Sequence, residues 1–105
     1  MVVTHRGYVS QEQIAAEIER ARQKLGPEVV RLMYNIGPNH YDEPAIHVRI
    51  VLSDEASREA NLVQVTGQIT SLMFNEVHPY DWGMPMYFSF RSESEQTKLT
   101  DTAWT

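Results

Sequence analysis

Cysteine is absent from all 105 residues. Disulfides, thiolate metal ligands and a cysteine nucleophile are therefore excluded, and the reducing cytoplasm is the expected location. Long apolar runs are missing too: nothing approaches the roughly 20 residues that a membrane-spanning helix needs. The opening MVVTHRGYVSQEQ lacks the basic region followed by about 7 to 15 apolar residues that marks a secretory signal. Basic charge is scarce, since 9 Lys and Arg against 14 Asp and Glu give a net charge of -5. Such a field repels polyanions, so nucleic acid is disfavoured as a partner unless a local basic patch overrides it. No GxSxG turn, Walker A loop or HExxH helix occurs, so no catalytic or cofactor-binding residue is nominated.

What is present fits one soluble domain, with 42% hydrophobic and 22% charged residues. Ser10 followed by Gln13 matches a capping box and predicts a helix start. Ile14, Ile18, Ala21 and Leu25 then recur at helical spacing, with charged residues on the other faces, until Gly26 and Pro27 stop the ladder. From Glu28 the period becomes two. Residues 28–36 and 45–52 read as strands, joined by the eight-residue GPNHYDEP loop at 37–44. SDEAS predicts a second helix from about Glu55 to about Glu76, with Leu62, Val65, Ile69, Leu72 and Met73 as its stripe, weakened at Asn61 and Gly67. HPYDWG breaks it, and residues 84–91 form a third strand with Met84, Met86, Phe88 and Phe90 on its core face.

The order is α-β-β-α-β, an α+β class drawn as a two-layer sandwich with an antiparallel or mixed sheet. If residues 2–4 form a strand near the sheet's centre, the order becomes the split β-α-β-β-α-β of ferredoxin-like domains. Without it, the element order resembles the K-homology layout of some RNA-binding domains, but the GXXG phosphate clamp is missing because no two glycines are three apart. RIVLSDEAS and YFSFRSESEQ also carry a resemblance to a family of small bacterial proteins, one that implies no activity or ligand. The domain is expected over 1–91. The remaining 92–105 is a polar tail with the composition of disorder, yet Leu99 and Trp104 predict that it docks.

Strict alternation turns Val29, Arg31, Met33, His47, Arg49, Val51, Tyr87 and Arg91 away from the helices, giving an acidic chain a cationic sheet face. Guanidinium forks suit phosphate or carboxylate, and tyrosine can stack on a base, so an anion, a nucleotide or RNA is one occupant. The bland alternative is an uncovered face that is polar because water meets it. A third reading is association: apolar side chains among arginines are typical of interface cores, and two faces could pack in a two-fold dimer with Trp104 sealing the edge. The primary expectation is thus a non-catalytic protein-interaction or dimerisation domain. His40, Tyr41 and Asp42 in one loop and Tyr80, Asp81 and Trp82 in another form a candidate rim. The shared Tyr-Asp and proline of these loops reads first as two strand entries chosen by the same turn chemistry. A metal held by His40, Asp42 and Glu43 with His78 and Asp81 would need two loops to converge, and no metal is called.

Overall fold

A computed structural model describes residues 11–78, 83–98 and 104. In chain order the elements are α1 Gln11–Lys24, β1 Val29–Pro38, β2 Pro44–Leu52, α2 Glu59–Glu76, β3 Met86–Ser92 and α3 Glu93–Lys98. The class is α+β, as the change of period from 3.6 to 2 and back requires. The α1 stripe is as read from its spacing, with Ile14, Ile18 and Ala21 buried. Ser10, its expected cap, lies outside the described residues, as do residues 2–4. Among the described residues no helix is long and apolar enough to cross a membrane.

The sheet has the order β1-β2-β3. β1 and β2 are antiparallel, whereas β2 and β3 run parallel, because the chain returns through α2 before β3 begins. Central β2 is the most deeply buried strand. Ile46, Val48, Ile50 and Leu52 form one cluster with Ile14, Ile18 and Ala21 of α1 and Ile69 and Met73 of α2. Each of these four strand residues is at most 1% exposed. β2 and β3 are bonded directly from Ile46↔Met86 to Leu52↔Ser92. A ferredoxin-like order would insert the first strand between them, and this pairing leaves no slot for it.

The hairpin tip is tighter than the spacing of GPNHYDEP predicts. Gly37 pairs with Ala45 and Pro38 with Pro44, leaving a five-residue connection at 39–43. Asn39 closes it: its amide donates to the Glu43 carbonyl at 2.9 Å, and its Oδ1 accepts from the amides of Tyr41 at 2.8 Å and Glu43 at 3.0 Å. The Asp42 amide reaches the Asn39 carbonyl at 3.1 Å, and Asp42 itself has φ 60°. This is a turn followed by one left-handed residue, a conformation that Asp tolerates better than most side chains.

The second helix starts later than SDEAS suggests. Ser53 caps a separate turn, its Oγ accepting from the Ala56 amide at 3.2 Å, and Arg58 is then extended at φ -62° and ψ 142°. Helical geometry begins only at Glu59. Asn61 does not weaken the helix by competing with its ladder; its side chain donates to the Glu55 carbonyl at 3.1 Å and ties that turn to α2. Nor does Gly67 interrupt α2, which runs unbroken to Glu76. A β-carbon at Gly67 would meet nothing within 4 Å. Gly67→Ala should therefore stabilise the fold by about 1 kcal/mol, through helix propensity alone. Thermal unfolding followed by circular dichroism should show a rise of about 4–8 °C; no rise would mean that an unseen neighbour occupies that space.

Candidate functional site

The strand register assembles the outer face of the sheet, opposite the core cluster, in three rows: Arg31, Val51 and Arg91; Met33, Arg49 and Ser89; Asn35, His47 and Tyr87. Val29 does not join them. The register shifts between Val29 and Arg31, so that Val29 stands opposite Leu52 and packs against the core. One extra residue, Val30, is inserted there, and a one-residue slip sends every side chain before it to the other face.

The last row holds most of the polar contacts. His47 Nε2 lies 3.3 Å from the Gly37 carbonyl and 3.2 Å from that of Pro38, so this nitrogen carries the proton and shares it between two acceptors. The His47 and Tyr87 rings are tilted by 31° with centroids 5.7 Å apart. Asn39, already closing the turn, donates from Nδ2 to the Tyr87 hydroxyl at 3.4 Å. These residues, with Pro38 and His40, line an open cleft of about 470 Å³. In the adjacent row, Arg49 donates to Asn35 Oδ1, which draws its guanidinium towards the cleft. His47, Tyr87 and His40 are thus brought together. Tyr41 is 77% exposed beside them, its ring edge-on to His40. Asp42 serves the turn. The rest of the rim, Tyr80, Asp81 and Trp82, lies outside the described residues.

At the opposite end the C-terminal segment folds back over its own sheet. Ser92 Oγ accepts from the Glu95 amide at 3.1 Å while Glu95 Oε1 accepts from the Ser92 amide at 2.9 Å, a reciprocal capping box that starts α3. Trp104 is buried, its ring 4.2 Å from Arg91 Cζ. Gln96 links the two, donating to the Trp104 carbonyl at 2.8 Å and accepting from Arg91 at 3.3 Å. α3 touches both β2 and β3, and Val51 beneath that end is only 2% exposed. The composition of this tail resembles that of disordered chains, yet Glu93–Lys98 is helical and Trp104 is buried. Leu99 lies outside the described residues.

No three His, Asp or Glu side chains converge among the described residues. The His78 imidazole lies beside Glu17 of α1, its Nδ1 3.6 Å from Glu17 Oε2. Sequence reasoning passed over Asn35, Asn39 and Gln96, which position the charged and aromatic groups. Asn39 carried a readable signal, an Asx residue opening a turn, and so did the Ser-x-x-Glu spacing of Ser92 and Glu95. No protein-family model, curated protein or solved structure matches this chain.

Asp54 clamps the start of α3. Its carboxylate accepts from the Ser94 amide at 3.0 Å and the Ser94 hydroxyl at 2.8 Å. Those bonds, the backbone one foremost, hold its pKa below the ordinary value of 3.8. A depressed carboxylate contributes stability that is complete above its unfolded value and lost as the pH falls through its folded one. The clamp should therefore hold at neutral pH and release below 3.8. In a Trp82→Phe background, Trp104 emission should shift to the red over that range. With Asp54→Asn it should be shifted already at pH 7 and change little more; an emission insensitive to the substitution would show that Asp54 does not hold this segment.

Proposed function

We propose that this chain is a non-catalytic interaction domain whose outer sheet face receives an acidic surface of a protein partner. The observation that carries the reading is the register, which gathers Arg31 and Arg49 with Met33, His47 and Tyr87 on the one face turned away from the core, next to an Arg91 that Trp104 and Gln96 engage. Arginine, tyrosine and methionine are the residues that interface cores favour. The face is also opposite in sign to the molecule as a whole, whose net charge is -5. Packing two such faces across a two-fold axis would set the arginines of one copy against those of the other, a like-charge contact. Trp104, which that arrangement needs as an edge seal, is held by Arg91 of its own chain. Both points favour an acidic partner over face-to-face self-association. The lack of cysteine supports a cytoplasmic setting.

A second reading, a nucleotide or RNA base on the same face, is favoured by one feature. The His47 and Tyr87 rings form part of the cleft wall, one row from the Arg49 guanidinium. An aromatic surface beside a cation suits a base with its phosphate.

Fluorescence anisotropy with a labelled oligoglutamate peptide and a labelled single-stranded RNA oligomer separates the two. The peptide should bind at low salt, weaken as salt is added, and lose at least about tenfold in affinity with Arg49→Glu, roughly the 1.4 kcal/mol that one charge-assisted contact supplies. RNA binding that Tyr87→Ala abolishes would transfer the site to the second reading. Equal affinity of wild type and Arg49→Glu for both probes would remove this face from the function.

A further inference from the structure

The far edge of β1 carries a feature that the outer face does not account for. β1 is ten residues long, the longest strand, and among the described residues no strand pairs with it on the side away from β2. An edge of this length presents a row of amides and carbonyls that a second strand can complete. Folded proteins usually blunt such an edge with lysine, proline or a bulge. Here the devices sit at the ends, with the irregularity between Val29 and Arg31 and the proline at 38. The stretch between them, LMYNIG, has none. Its inner-face residues Leu32, Tyr34 and Ile36 pack against the core yet remain only half-buried, since they stand at the margin of the sheet.

We infer that two copies of this chain join β1 to β1 in antiparallel fashion, making one continuous six-stranded sheet about a two-fold axis. The register follows from the residues. Joining the two sheets with inner face to inner face requires that opposed residues belong to the same face. Centring the regular stretch Arg31–Gly37 on itself places Tyr34 opposite Tyr34 of the second copy, Leu32 opposite Ile36, Met33 opposite Asn35 and Arg31 opposite Gly37. No charge meets its like, and the three half-buried apolar side chains of each copy extend into those of the other. Aromatic and aliphatic cross-strand pairs of this kind stabilise antiparallel sheets. The edge of β3 is the weaker candidate: it is seven residues long and its C-terminal end carries α3. The pairing is independent of the acidic-partner reading. It leaves the outer face open and sets two such faces side by side.

The cysteine-free sequence permits a register-specific test. Light scattering over a concentration series should give twice the 12.1 kDa chain mass at high concentration, falling towards the single mass on dilution. Tyr34→Lys, which opposes two lysines at the axis, should give the single mass throughout, while Tyr34→Phe should behave as wild type; circular dichroism checks that both fold. On mild oxidation, an equimolar mixture of Met33→Cys and Asn35→Cys chains should form a disulfide-linked dimer. Each variant alone should not, because its two copies of the cysteine then lie diagonally, with Cα atoms more than about 7 Å apart. A single chain mass at every concentration overturns the proposal. So does a dimer that cross-links through a Tyr87→Cys and Ser89→Cys mixture instead, which would move the contact to the β3 edge. A dimer in which neither mixture cross-links overturns it as well, leaving self-association by another surface.

Discussion

The bonding of β2 on both of its edges is the constraint on which the rest of this molecule depends. A central strand has no freedom to slip, because a shift of one residue would turn Ile46, Val48, Ile50 and Leu52 from the core to water. Fully burying each such side chain is worth about 1.5–3 kcal/mol, so the four together make any other register prohibitive. Once β2 is fixed, its odd-numbered residues must face the other way. His47, Arg49 and Val51 are outward for that reason, and the residues beside them on β1 and β3 follow by pairing.

The two ends of this outer face have different fates. At one, the chain's own C-terminal segment lies over it, fastened by Asp54, Gln96 and the Arg91–Trp104 contact. At the other, hydrogen bonds from His47 and Asn39 shape an open cleft without covering it. One surface is therefore part structural and part available. Arg91 belongs to the first use, being occupied by an indole and an amide. Arg49, oriented by Asn35, belongs to the second. A count of arginines on the face would miss that distinction, which rests on the partner each guanidinium has found.

Much of the element order was legible from local chemistry. The α1 stripe, the change to alternation near Glu28, the break at Gly26 and Pro27 and the end of α2 at Glu76 depend on near neighbours, and they appear where the pattern puts them. Arg31, His47, Arg49 and Arg91 share a face because alternation is itself local. Val29 was misplaced because a bulge is invisible to a period-two reading, since nothing in VVR marks which valine is the extra one. The late start of α2 was missed for a related reason. Ser53, Asp54 and Glu55 have the composition of a helix cap, but Ser53 caps a separate turn whose Glu55 carbonyl accepts from the Asn61 side chain beyond it, and Asp54 binds Ser94.

By itself, then, the sequence determined the alternation of faces and the α1 stripe, which follow from side chains within a few residues of one another, and the acidic balance, which is a sum over the chain; the α2 stripe held at Ile69 and Met73 but not at Leu62, which is exposed. The three-dimensional packing decided the direct β2 to β3 contact, the side chosen by Val29, the return of Trp104 onto Arg91, and the meeting of His47 with Tyr87 across 40 residues of chain. Those outcomes depend on which distant segments bury the most apolar surface while leaving no buried backbone group unpaired. That condition applies to the whole chain at once, and no short window of residues expresses it.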